Sequence, residues 1–151
     1  MKFAADRMLG RLAKWLRFIG YNTLYFNEVA DEEFILLANE GRILLSRNTR
    51  LAGRVSPDHY LFVKHNDPKA QLKHVIWELD LKPDLENFFT RCSLCNGTLE
   101  YLNRNAVYGK LPDYVWTVNN IFSRCNECGK IYWPGTHVTS CREYLNSLFE
   151  R

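Results

Sequence analysis

The 151-residue sequence predicts an α/β fold: a parallel sheet with covering helices, followed by a small β unit. Three observations carry this reading. Strand-like apolar runs alternate with helix-like periodicity over residues 1–89, the pattern of a parallel sheet whose crossovers are helices. Composition shifts near residue 90, and all five cysteines lie beyond it. The hydrophobic fraction of 46% and the aromatic fraction of 14% suffice for a packed core and exclude a disordered chain.

The elements follow in order. "MKFAAD" is a short strand ending at Asp6. "RMLGRLAKWLRFIG" is an amphipathic helix, because Leu9, Leu12, Ala13, Leu16 and Ile19 share one face and Gly20 is a natural stop. "NTLYF" is the second strand. "DEEFILLANEG" is the second helix, with Asp31 at the N-cap, acids in the first turn and Gly41 at its end. "RILLS" and "HYLFVKH" are the third and fourth strands. "DPKAQLKHVIWELDL" opens with Asp-Pro at cap and first-turn positions and places Leu72, Val75, Ile76 and Leu79 on one face. "LKPDLENFFT" links to the second half. There "TLEYL", "YVWTV" and "KIYW" are short hydrophobic pieces between turn-like segments, with too little apolar mass to fold without a staple. The chain divides into units 1–89 and 90–151.

The cysteines supply that staple. Cys92 and Cys95 ("CSLC") and Cys125 and Cys128 ("CNECG") form two C-x-x-C pairs with 29 residues between them. Two such knuckles bring four thiolates to a tetrahedral Zn²⁺ at about 2.3 Å each. Gly97 and Gly129 stand where the backbone turns tightly toward the sulfurs. A redox C-x-x-C is the alternative; it fails because neither pair opens a convincing helix and there are two pairs. A closed four-thiolate site has no open position, so this metal is a fold element. Cys141 reads as a small buried hydrophobe. The formal charge of +3 permits a nucleic-acid partner without requiring one. No run of about 18 apolar residues suggests a membrane span. "MKFAAD" lacks the apolar stretch of a signal peptide, so a cytoplasmic, reducing setting is the expectation, with cysteines as thiols or ligands.

In an open parallel sheet, ligands bind outside the carboxyl ends of the strands. Asp6, Asp31, Asn48 and Asp67 follow strands one to four and fall on that rim if the crossovers are right-handed. Clustered carboxylates repel unless a cation joins them. Mg²⁺ or Mn²⁺ suits such a site and supports phosphodiester cleavage. Asp31 and Asp67 also have an ordinary N-cap explanation, while Asp6, at a strand end, has none. Glu32 and Glu33 read as surface acids that offset the helix dipole. Arg7, Arg11 and Lys14 cluster on the first helix with Arg17 to the side, and Arg47, Arg50 and Arg54 form a second group beside Asn48. A basic face beside an acidic pocket suits a polyanion; a solvated helix face is the plainer alternative. In "KIYWPGTH", Trp133 and His137 offer stacking partners for unpaired bases, or Trp133 packs over the metal unit.

Taken together, "FAADRMLGRLAKWLRFIGYNT", "DEE", "GRILLSRN", "RCSLCNGTL" and "CGKIYWPGTH" closely resemble the C-terminal RNase domain of mutator-type exonucleases, over nearly the whole chain. The resemblance implies a PIN-like nuclease domain at 1–89, a four-cysteine zinc ribbon at 90–151 and metal-dependent cleavage of RNA. Its acidic positions map onto Asp6 and Asp31, which would hold Mg²⁺ or Mn²⁺, with Asp67 as a further candidate. A third acid is usual where the family tends to read Thr-Arg-Asp; this chain reads Ser46-Arg47-Asn48. An amide can accept one metal bond through its oxygen but brings no charge, so weaker metal binding is expected. Arg7, Arg11, Lys14, Arg17, Arg47, Arg50, Trp133 and His137 are the candidate RNA contacts, with the ribbon extending the binding face. Transfer RNA is an attractive partner because it is compact and has an unpaired end. A non-catalytic RNA-binding protein is the alternative.

Overall fold

The computed structural model describes residues 1–150, without the side chains of Thr136 and His137. Four parallel strands form the first sheet: β1 (Lys2–Ala5), β2 (Thr23–Tyr25), β3 (Arg42–Ser46) and β4 (Tyr60–Phe62), in the order β2-β1-β3-β4. Ala4 stands level with Leu24 on one side and Leu44 on the other. The two-residue period of a strand then divides the core. Phe3, Ala5 and Leu45 face one cluster, while Ala4 and Leu44 face another.

Helices α1 (Gly10–Phe18) and α3 (Pro68–Glu78) cover the first face through Leu12, Leu16, Leu72, Val75 and Ile76, all buried. Helix α2 (Asp31–Leu36) covers the second through Phe34. The expected helices are present but their ends tighten. A 3-10 turn over Arg7–Leu9 precedes α1, and another over Leu37–Glu40 follows α2 and ends at Gly41 with φ 81°. The N-cap of α2 is Ala30, so Asp31 is its first helical residue instead of its cap. Asp67 does cap α3, its carboxylate accepting the Ala70 N–H at 2.9 Å.

The second unit holds a three-stranded antiparallel sheet, β5 (Leu99–Leu102), β6 (Phe122–Cys125) and β7 (Ile131–Tyr132), in that order. The sequence reading of this half needs two corrections. "YVWTV" is not a strand. It lies in a short helix, α4 (Asp113–Val118), whose Val115 packs with Val107 and Phe122. Burial of one face there outweighs the β propensity of Val, Tyr and Trp. The chain also ends in a helix, α5 (Thr136–Phe149), that returns to the first unit. Leu145 is buried in the α1–α3 core, and Tyr144 meets Trp15 edge-on at 5.5 Å. Its periodic signal, Cys141, Tyr144, Leu145 and Leu148, spans one helix face. Among the described residues, no helix is long and apolar enough to cross a membrane.

Gly20 closes α1 with φ +96°, and a Cβ there would lie 2.7 Å from the Asn87 carbonyl oxygen. Backbone strain and a backbone clash therefore coincide. Gly20→Ala is expected to lower unfolding free energy by about 1–3 kcal/mol, read from urea denaturation.

Candidate active site and metal centre

The carboxyl edge of the first sheet opens into a cleft of about 380 Å³. Strand order 2-1-3-4 places a topological switch between β1 and β3, where the emerging chains diverge. Asp6 follows β1 directly. Ser46 ends β3, and its hydroxyl donates to Asp6 Oδ2. The Asn48 N–H donates in turn to Ser46 Oγ at 2.9 Å. Burial pushes the half-buried Asp6 carboxyl above its ordinary pKa. The Ser46 hydroxyl and the Met8 backbone N–H hold it down in part, and the Asp31 charge adds to the rise.

Asp31 and Asn48 line the same cleft. The Asn48 amide Nδ2 donates to Asp31 Oδ1 at 3.4 Å, while its Oδ1 accepts from the Arg50 backbone N–H at 3.0 Å and from Arg50 Nε at 3.2 Å. The amide oxygen is thus engaged by Arg50. Arg50 and Arg54 each approach Asp31 Oδ2 at 3.9 Å. Sequence reasoning missed two residues here. Glu28, in the loop after β2, brings a further carboxylate to the cleft wall. Ser46 links Asp6 to the β3 end. The rim argument that selected Asp31 applied equally to Glu28; a strand-end serine carries no comparable signal.

The other candidates disperse. Asp67 is occupied as a cap and does not line the cleft. Arg7 lines it, and exposed Arg11 and Lys14 continue one basic face along α1. Arg47 reaches the cleft wall but is tied by its guanidinium to the carbonyls of Val63 and His65 and, at 2.7 Å, to Asn66 Oδ1. Arg17 is buried, which removes it from any phosphate; its Nε donates to the Thr23 carbonyl at 2.9 Å and its Nη1 to the Ser93 carbonyl at 2.8 Å. Trp133 is half-buried, packing against the second unit's core and also lining a cavity at the end of α1. The side chain of His137 lies outside the described residues.

The four cysteine sulfurs, Cys92, Cys95, Cys125 and Cys128, all lie within 4.8 Å of one another. A tetrahedral Zn²⁺ with bonds near 2.3 Å needs sulfurs about 3.8 Å apart; the pairs Cys92–Cys128 and Cys95–Cys125 stand at 3.6 and 3.4 Å. The thiolates therefore fit a structural metal of zinc-ribbon type. At Gly97 a Cβ would sit 2.7 Å from Cys125 Sγ, so only glycine lets the knuckle close. The first knuckle docks on the amino end of β2. Asn96 Oδ1 accepts the Thr23 N–H and Asn96 Nδ2 donates to Asn22 Oδ1, each at 2.9 Å. Burial pushes the Arg17 guanidinium pKa down, and the charge of the nearby Cys92 and Cys95 sulfurs pushes it back. This end of the sheet is opposite the cleft, so the ribbon does not simply extend the cleft wall. Among the described residues, the cysteines are the only metal-capable cluster with donors this close.

The molecule is thus an α/β domain with a cleft at its carboxyl edge, lined by three carboxylates and three guanidiniums, and a four-cysteine metal-binding unit at the other. The chain belongs to the Mut7-C RNAse domain family, whose profile matches residues 1–145. Comparisons with curated proteins and with solved structures return no match. Family membership gives the chain a ribonuclease-related function, with RNA as its substrate or partner.

Two outcomes are expected. Purified protein carries one Zn²⁺ per chain by elemental analysis, and Cys125→Ser loses it together with the ribbon's near-ultraviolet dichroism. The folded state holds the Asp6 proton more tightly than the unfolded chain does, so stability without a cleft cation falls as pH rises from the ordinary carboxyl pKa through the raised one. Asp6→Asn removes that pH dependence and raises the thermal midpoint at neutral pH by on the order of 2 °C in calorimetry.

Proposed function

We propose that this protein is a metal-dependent ribonuclease that hydrolyses an RNA phosphodiester in the cleft at the ends of β1 and β3. The observation that carries this reading is Asp6, a carboxyl half-buried beside Ser46 with its pKa pushed up by burial and by Asp31. A carboxylate kept in that position at the expense of stability invites a cation. Asp6 and Asp31 would hold Mg²⁺ or Mn²⁺, ions that keep several waters and need only one or two carboxylates. When bound, such an ion activates water and stabilises charge on the phosphate. Glu28 supplies the third carboxylate that position 48 lacks. Asn48 is a positioning residue, orienting Asp31 through its amide and fixing Arg50. Arg7, Arg11 and Lys14 hold the flanking phosphates, with Arg50 at the cleft mouth. Transfer RNA is the first substrate to test, being compact with an unpaired end, and the reducing cytoplasm suits the free thiolates.

A second reading has one observation in its favour. The Asn48 amide satisfies Asp31 without a cation, which fits an RNA-binding protein that does not cut. Cleavage of labelled RNA with Mn²⁺ separates the two. Wild type cleaves, Asp6→Ala loses about 100-fold or more, and Asn48→Asp binds Mn²⁺ about tenfold more tightly. Binding without cleavage by both wild type and Asn48→Asp would give the case to the second reading. Three phosphate contacts from the α1 face predict a slope of about −2 for log affinity against log salt with single strands.

A further inference from the structure

A second cavity lies where the ribbon meets the end of α1, and the cleft does not use it. It encloses about 290 Å³. Phe18 of α1 and Phe89 wall one side, Tyr132 and Trp133 the other, and Arg91 and Arg142 contribute two guanidinium groups. No acidic side chain lines it. Arg142 is exposed on α5, sits over the Phe89 ring at 5.1 Å, and makes no salt bridge among the described residues.

Phe89 adds an independent observation. Its φ is +59°, in the left-handed region that bulky side chains avoid, and its N–H is held by the Phe18 carbonyl at 2.7 Å. Strain of this kind persists where the surroundings over-determine it, and it collects at functional sites. Here it fixes the ring between Phe18, at a centroid distance of 5.4 Å, and the Arg142 guanidinium.

We infer that this groove is a second RNA site that takes an unpaired nucleotide, with the base among the Phe89 and Trp133 rings and the phosphate on Arg142. The inference rests on the ribonuclease reading for the identity of its partner. Flat aromatic walls with two cations and no anion match a base joined to a phosphate. Arg91 already donates to the Gly20 and Asn96 carbonyls at 3.2 and 3.1 Å, so it lends charge to the wall, while an apolar peptide would leave the Arg142 guanidinium without an anion. Phe18 lies at the amino edge of the sheet and Asp6 at the carboxyl edge, so a strand length of five residues, roughly 15 Å, separates the two sites at the least. The substrate class is therefore a folded RNA that presents its scissile backbone to the cleft and an unpaired end to the groove.

The test uses the full zinc-loaded chain carrying Asp6→Asn, so that RNA stays intact. Two fluorescein-labelled hairpins are compared by anisotropy, one blunt and one with a short unpaired tail. The tail is expected to tighten binding about tenfold, and Arg142→Glu is expected to abolish that gain while leaving blunt-hairpin affinity within about threefold. A 4-thiouridine in the tail is expected to crosslink to peptides containing Phe89 or Trp133. No gain from the tail, a gain that survives Arg142→Glu, or crosslinks confined to the cleft would each overturn the proposal. So would sedimentation showing that Arg142→Glu disrupts self-association while RNA affinity is unmoved. Cleavage by Asp6→Ala at the wild-type rate would sink the cleft reading alone, since the tail comparison and the crosslinks still decide the groove.

Discussion

The divergence of the chain after β1 and β3 is the constraint on which the cleft depends. The strands are parallel neighbours, yet they feed opposite faces. After β1 the backbone turns so that Leu9 enters the α1 side of the core; after β3 it turns so that Leu51 enters the α2 side. Two chains that part in this way leave a crevice between them, and right-handed crossovers set it at the carboxyl edge. The Ser46–Asp6 hydrogen bond spans the crevice at its base. The acids are brought there by the packing of Leu9 and Leu51 as much as by their own chemistry.

Charge is the unresolved cost of that geometry. Asp6 is pushed toward its protonated form, and Asp31 stands near enough to contribute. The chain contains the repulsion in part with Arg50 and Arg54 near Asp31 and with an amide at position 48. An aspartate at 48 would add a further negative charge beside Asp31. The amide at 48 therefore spares the cleft that charge and gives Asp31 Oδ1 a donor instead.

At the other end of the sheet, Arg17 turns a separate small unit into part of one body. Its guanidinium bonds to Thr23 and Ser93 together, and it lies near the thiolates of the first knuckle. Asn96 repeats the join one residue beyond Cys95. A four-thiolate metal centre carries net negative charge, so a buried cation beside it offsets what desolvation would otherwise cost. Helix α5 closes the arrangement by burying Leu145 against α1 and α3. With these contacts the ribbon is held at a fixed angle, and the aromatic groove has two walls instead of one.

Much of this is legible in the sequence. The periodic runs mark the four strands and three helices of the first unit, because an amphipathic face is written directly in residue spacing. The two C-x-x-C pairs mark the metal cluster, because thiolate geometry admits few spacings. Strand order alone places Asp6, Asp31 and Asn48 on one rim, and they do meet in one cleft. Other assignments need the tertiary structure. Arg17 looks like any basic residue on a basic helix until the knuckle docks over it. The Asp-Pro pair already marks Asp67 as a cap, whereas the surroundings of Trp133, the second unit's core on one side and the aromatic groove on the other, exist only in the packed chain. Glu28 joins the site through a loop that has no period to read. α5 and α4 escape a reading of the second half as strands because their fate rests on long-range burial. Local pattern determines which segments can be helices, strands or metal knuckles; which side chains share a site is decided by contacts between residues far apart in the chain, and these exist only once the whole has packed.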